Sequence, residues 1–356
     1  MSKAKKYAVE GAIAVGLVKT IINAVKQLNQ METNPQQKFN WKELLLEAGK
    51  GAAIGGIGGG FIGAIEDHQN SLEKPLNTDS FLYAVASKLK LNKEDATYLK
   101  LQQKADQLIG LLKNKYAEKL ASEPFRIGST ERGTALRNKF DIDIALAFKK
   151  NSFRSTADMF DNVAAFLEGK IGDYSIVRVR DQHVSVGVYF KVNQREYKVD
   201  VVPKKRSSIN GKNKSGYLYV NDYNFWKDNS SYTKTDFHAL NSIRLSEVQK
   251  RIVIILKHWK SKNNLPLSSH LLENPVLDAY KMNRYRIPGN LTGKIIMVLK
   301  HIAENLDVAV IKSIENTNNV LTDISVESKA AIIDACIKVV LDYEYQPNSL
   351  FDTFGK

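Results

Sequence analysis

Two carboxylates, Asp141 and Asp143, stand one residue apart in the run NKFDIDIALAF (residues 138–148), shortly after a Gly128-Ser129 pair. In an extended strand successive side chains alternate between faces, so both aspartates point one way while Ile142, Ile144, Leu146 and Phe148 fill the other. Carboxylates this close repel and raise each other's pKa unless a cation lies between them. Magnesium or manganese, hard ions that take oxygen ligands, would suit the pair, magnesium in particular keeping waters for a phosphate to replace. A bare Asp-x-Asp is more often a solvated edge strand. The preceding glycine turn changes the balance, because backbone N–H groups and the Ser129 hydroxyl in such a turn would meet a phosphate chain.

A third acid lies in REYKVDVVPKK (residues 195–205). Alternation places Tyr197, Val199 and Val201 on one face and Lys198, Asp200 and Val202 on the other, and no cationic side chain is evident to neutralise the three acids. The run before it, HVSVGVYFKV, also alternates, so the Asn193-Gln194-Arg195 link reads as a hairpin connection. Three strand-borne carboxylates on one sheet face predict a two-metal site, with ions bridged by shared acids activating a hydroxyl and stabilising a leaving pyrophosphate.

These residues need a scaffold, and the flanking sequence predicts one. Asn92, with Glu94 and Asp95 after it, reads as a helix cap. Leu101, Ala105, Leu108, Leu112, Tyr116 and Leu120 then form one stripe of a long helix that ends before Pro124. After the aspartate strand come an amphipathic helix near residues 156–167 and strands near 174–180, 183–192 and 196–202. Beyond PKKRSSINGKNKSG the chain reads as mainly helical, with Ser246 and Gln249 forming a capping box. Lys257 lies off the stripe of Val248, Ile252, Ile255 and Trp259, which by itself makes it a surface charge; Lys204, Lys205 and Arg206 read equally as phosphate contacts at the rim of a cleft between lobes or as a solvated loop. Trp226 and Trp259 read as core.

Composition fits a globular chain with two packed lobes and an appendage: 356 residues, 43% hydrophobic and 25% charged. The net charge of +14 suits polyanions but does not choose between nucleotide and nucleic acid. One cysteine, Cys336 in the apolar pattern of the last helix, excludes a disulfide within the chain and a cysteine zinc ribbon. The first eighty residues are apolar and glycine-dense, but residues 51–65 are shorter than the roughly 20 needed to span a bilayer as a helix. Glycines four apart at 51, 55 and 59 would let helices approach closely within the chain or between subunits of a homo-oligomer, with peripheral membrane contact and disorder as the alternative readings. The basic start resembles a signal peptide, yet Glu10 interrupts it without a cleavage site, so a cytoplasmic location is expected.

The ordered set Gly128-Ser129, Gly133-Thr134, Asp141-x-Asp143 and Asp200 resembles the DNA polymerase β superfamily of nucleotidyltransferases, and more closely the CD-NTases, bacterial relatives of cyclic GMP-AMP synthase and oligoadenylate synthase. EVQKRIVIILKHWK with LPLSSHLLE, and the later IENTNNVLTDIS, are similar to further motifs of that family, so the resemblance spans about residues 82–341. It implies an α+β fold: a polymerase β-like catalytic lobe with a mixed sheet backed by helices (residues 81–207), a helical substrate-binding lobe (residues 208–356), a long spine helix joining them, and a helical glycine-rich extension (residues 1–80). It implies that Asp141, Asp143 and Asp200 hold two Mg2+ or Mn2+ ions, and that Gly128, Ser129, Lys257 and Ser269 meet the triphosphate. His270 stands where relatives often carry a base-stacking aromatic, so base choice does not carry over. The implied activity is synthesis of a cyclic oligonucleotide messenger from nucleoside triphosphates in antiphage defence, read by a separate effector protein. A linear oligonucleotide synthase or terminal nucleotide-adding enzyme is the alternative within the fold, and an inactive nucleotide-binding module the alternative outside it.

Overall fold

The computed structural model describes residues 77–209, 214–221, 231–267, 272–306 and 324–355. The glycine-rich extension, Trp226 and the 314–325 motif up to Asp323 lie outside these residues. The chain begins with helix α1 (Thr78–Leu89) and the spine helix α2 (Ala96–Tyr116). Strand β1 (Phe125–Ile127), the single turn α3 (Ser129–Arg132), β2 (Ile142–Phe148) and α4 (Thr156–Glu168) follow. Next come β3 (Ile176–Asp181), β4 (Val186–Val192), the long β5 (Arg195–Arg206), β6 (Gly216–Val220) and β7 (Ser231–Thr235). Helices α5 (Phe237–Ser242), α6 (Glu247–Lys262), α7 (Glu273–Met282), α8 (Leu291–Asn305), α9 (Val326–Tyr345) and α10 (Ser349–Phe354) complete it.

The spine helix starts later than its sequence suggests. Asp95, not Asn92, is its cap, accepting from the N–H groups of Thr97 and Tyr98, while Asn92 accepts from Glu94 in the turn ahead. The helix stops at Tyr116, and Leu120 has already left it to bridge Phe148 at the end of β2. The stripe from Leu101 to Tyr116 is buried as expected.

The sheet has the order β1-β2-β5-β4-β3, with β6 added to the far end of β5 and β7 to β6. It is mixed: β2 and β5 are parallel, and the other pairs are antiparallel. One face carries Ile142, Ile144, Leu146 and Phe148 of β2, Val199 and Val201 of β5, and Val186, Val188 and Phe190 of β4, all packed against α2 and α4. Alternation therefore turns the intervening residues of β2 and β5 to the opposite face, where Ala145 and Val202 meet Ile127, Leu218 and Phe237. Asn193 (φ +48°) and Gln194 (φ +66°) form the two-residue turn between β4 and β5, the left-handed geometry that matches strand twist in a tight hairpin.

The later helices pack on one another, α6 against α1, α7, α8 and α10, and α8 against α9. Asp79 of α1 caps α8 from outside, accepting from the N–H groups of Leu291 (3.1 Å) and Thr292 (2.8 Å). Strands β6 and β7 are not anticipated by the sequence reading, which has the chain become mainly helical there. Lys204, expected at a cleft rim, is fully buried in β5; its ammonium donates to the Lys214 carbonyl at 2.8 Å and lies over the Phe237 ring.

Candidate active site

β1 and β2 pair with Ile127 opposite Asp143, so the chain leaves β1 into Gly128 directly beside that carboxylate. Gly128 has φ +89°, and a Cβ there would overlap Asp143 Oδ2. Glycine alone supplies both the positive φ and the room. The turn α3 then closes at Gly133 (φ +74°), with the Thr134 N–H donating to Ser129 O at 2.9 Å. The turn is thus a small rigid unit built around the Asp143 side chain.

The parallel pairing of β2 with β5 sets Asp143 directly opposite Asp200, and on the other side of β5 Asp200 faces Gly187 of β4. Asp141 immediately precedes β2. The three acids expected together are brought together, but a cation lies among them. Lys198 Nζ is 3.1 Å from Asp141 Oδ2 and 2.7 Å from Asp200 Oδ2, and donates more distantly to Gln182 Oε1 at 3.5 Å. This corrects the expectation that no side chain neutralises the cluster: Lys198 and Asp200, two apart on one strand, share a face.

The electrostatics follow from this geometry. Burial, then the like charges of Asp141 and Asp200, push the Asp143 carboxyl up to about 7, against the pull of Lys198 and Arg132. Burial also raises Asp200, with the Lys198 contact opposing it. For Lys198 burial works the other way, and the hydrogen bond and charge of Asp200 overcome it, holding the ammonium protonated beyond the usual lysine range. Asp200 Oδ1 is buried without a hydrogen bond of good geometry, although the Gln182 amide lies near enough to favour its charged form.

Among the described residues no group of three or more His, Cys, Asp and Glu is arranged to hold a metal ion. Two of the acids, Asp141 and Asp200, meet the Lys198 ammonium instead. Their chemistry nonetheless fits a divalent cation: an all-oxygen donor set, one buried oxygen left short of a partner, and an Asp143 whose charge is costly until a cation arrives. Asp141, Asp143 and Asp200 are the residues that would hold it.

A second cluster stands behind the turn. Glu273, at the start of α7, is fully buried; its Oε2 accepts from Arg132 Nε at 2.6 Å and its Oε1 from Thr134 Oγ1 at 2.6 Å. Lys257 on α6 donates to Thr134 O at 3.0 Å, with its ammonium 4.0 Å from Glu273 Oε1. Lys257 is therefore not the surface charge its position in the stripe suggests. Helix α6 is buried almost all round, from Ile252 through Leu256, so a residue off the main stripe is still inside. Burial pushes the Lys257 ammonium down to about 8, while Glu273, Asp141 and Asp143 oppose this and Arg132 adds to it.

Gly128, Ser129, Asp141, Asp143 and Asp200 thus converge, with Lys257 one layer behind. Ser269 and His270 lie outside the described residues. Lys198, Gln182, Arg132 and Glu273 are the parts sequence reasoning missed. Two of them left a signal there, Lys198 through its alternation with Asp200 and Glu273 through its place in the LLE motif.

No protein-family model matches the chain, and no curated protein is significantly similar to it. Solved structures are. E. coli MS115-1 CdnC, solved with ATP, aligns at 18% identity over 78% of this chain and 98% of that one, with a TM-score of 0.58. CdnC in its complex with HORMA-deltaN aligns at 19% identity over 78% and 97%, also at 0.58. The CD-NTase CdnG of Bradyrhizobium diazoefficiens, solved with GTP, aligns at 13% identity over 79% and 95%, with a TM-score of 0.56. The fold is that of the CD-NTases. In the CD-NTase fold of this chain, the acids and the glycine turn occupy neighbouring strands of one sheet face, and α6 and α7 supply the buried cluster behind the turn. Among the described residues no helix is long and apolar enough to cross a membrane.

Proposed function

We propose that the protein is a metal-dependent nucleotidyltransferase that joins nucleoside triphosphates into a cyclic oligonucleotide, a second messenger of bacterial antiphage defence made in the cytoplasm and read by a separate effector. The observation that carries this reading is the convergence of Asp141, Asp143 and Asp200 on one sheet face beside a glycine whose Cβ space is taken by Asp143. The capture of solved neighbours with ATP or GTP supports nucleoside triphosphates as substrates.

Divalent ions held by Asp141, Asp143 and Asp200 would supply positive charge at the attacking hydroxyl and the leaving pyrophosphate. The chain's own residues do the rest. The side-chain-free Gly128 lets a phosphate approach the backbone, and the Ser129 hydroxyl donates to it. Arg132 and Lys257, buried close by, bias the potential towards anions, and Glu273 fixes both. Ser269 and His270 would complete the contacts to phosphate and base. Because the α3 turn is tied to α6 and α7 by buried hydrogen bonds, the phosphate-binding half of the site is held in place before substrate arrives.

The test is incubation of purified protein with each labelled triphosphate and Mg2+ or Mn2+, followed by phosphatase. A phosphatase-resistant product lost in Asp141→Asn/Asp143→Asn is expected. A phosphatase-sensitive product would identify a linear oligonucleotide instead, and no product with any triphosphate and metal would refute the assignment.

A further inference from the structure

Lys198 is placed as a cation would be. It sits one strand alternation from Asp200 and one step before the Ile142–Val199 pair, so the register of β2 and β5 brings its side chain to the mouth of the acid cluster. Its ammonium touches Asp141 and Asp200 at once, at 3.1 and 2.7 Å, the two flanking members of the triad. It thereby occupies the space between two of the acids that a metal ion would share. The stem is flexible, the head is a point charge without directional demands, and a second polar neighbour, Gln182 Oε1, stands at 3.5 Å. Gln182 is itself seated by the sheet: it occupies the side-chain space of Gly187, the residue paired with Asp200, and accepts from Ser185 Oγ at 3.3 Å.

We propose that Lys198 is a displaceable internal cation, a positioning residue that holds the place between Asp141 and Asp200 in the nucleotide-free protein and yields it when a divalent ion enters. The inference rests on the reading of the triad as a metal site. Its consequence is an order of events. A lone ion must displace a lysine that makes two charge-assisted contacts, so it binds weakly to the free protein. An ion arriving with a triphosphate brings extra ligands and displaces it readily. The ammonium then keeps Gln182 Oε1 as a partner within reach. Lys198 also keeps Asp141 and Asp200 from being driven apart by mutual repulsion before loading, so the acids stay near their working positions.

The test is calorimetric titration of Mn2+ into the full-length protein, with the number of bound ions counted from the paramagnetic resonance signal of free Mn2+. Wild type, Lys198→Met and Lys198→Arg are compared without nucleotide and again with a non-hydrolysable triphosphate. Thermal melts confirm that each variant is folded. Lys198→Met should bind Mn2+ at least tenfold more tightly than wild type without nucleotide, while Lys198→Arg should bind no more tightly than wild type. Triphosphate should tighten wild-type binding by more than it tightens Lys198→Met. Equal or weaker Mn2+ affinity in folded Lys198→Met overturns the displacement inference while leaving the metal site standing if wild type binds Mn2+ with triphosphate. Absence of Mn2+ binding in every protein, with and without triphosphate, overturns both the inference and the proposed activity.

Discussion

Lys257 offers a stability measurement that depends on no substrate. Its ammonium is buried, is hydrogen-bonded to the Thr134 carbonyl, and faces Glu273 from α7, Arg132 from α3 and the acids at β2. Burial pushes it from an ordinary 10.5 down to about 8. A lysine depressed in the folded state binds fewer protons there than in the unfolded chain between those two values, so stability rises with pH across that window. Below about pH 8 the lysine is charged in both states, and the folded protein carries the full cost. The gap between 10.5 and about 8 corresponds to about 3 kcal/mol. Roughly 2 kcal/mol of it is recovered between about pH 7.5 and about pH 10. Urea unfolding of nucleotide-free wild type and Lys257→Met at those two pH values isolates the effect, because other titrating groups cancel in the double difference. Wild type should gain about 2 kcal/mol relative to the variant on going to the higher pH. Parallel behaviour of the two proteins, or a relative gain by the variant, would refute the buried placement of Lys257 and the account of its surroundings.

Three further perturbations test the rest of the site. Asp143→Asn removes a charge that burial and two neighbouring acids make costly, so at pH 8 without metal the variant should be more stable by roughly 1–3 kcal/mol in urea melts, yet form no product from any triphosphate. Gly128→Val places a branched side chain into Asp143 at φ +89°; it should lose about 2–3 kcal/mol of stability, and calorimetry should show no triphosphate binding, whereas Ser129→Ala should only weaken it. Glu273→Ala strips Arg132 and Thr134 of their acceptor and Lys257 of its counter-charge and should cost about 3–5 kcal/mol, measured by denaturant unfolding; Glu273→Gln, which keeps an acceptor oxygen, should cost less.

The parts of the site that were legible in the sequence are those set by a single strand. Alternation alone gives the common face of Asp141 and Asp143 and the apolar face of Ile142, Ile144, Leu146 and Phe148. The juxtaposition of Asp143 with Asp200 could not be read that way, because it depends on a parallel pairing across a long connection; the chemistry of three strand-borne acids suggested it and the family resemblance strengthened it. Periodicity misplaced Lys257 because a stripe argument assumes one wet face, and α6 is enclosed by α1, α7, α8 and α10. It passed over β6 and β7 because a two-strand addition at the end of β5 leaves little hydrophobic signal: Tyr217, Tyr219 and Val220 are only part-buried. Asn92 drew attention as a cap because Asn, Glu and Asp crowd together there, and backbone geometry chose the last of them.

The two cationic clusters around the acids differ in a way that bears on mechanism. Arg132 and Lys257 are held by buried acceptors, Glu273 at the start of α7 and the Thr134 carbonyl just after the turn, so moving either would strand a buried partner. Lys198 is held by carboxylates that have another use and more distantly by Gln182 Oε1, at a position part-open to solvent, where its head can leave once another cation meets the acids. Under the proposed function, a site that takes up and releases a polyanion with its counter-ions needs both behaviours. The fixed pair keeps the phosphate turn in place through each cycle. On the proposal made above, the displaceable lysine keeps Asp141 and Asp200 together in the interval when no other cation is present. Exchanging the two roles would fail on charge grounds alone: a clamped cation at Asp200 would bar the ion, and a mobile one at Glu273 would leave an acid buried without a partner.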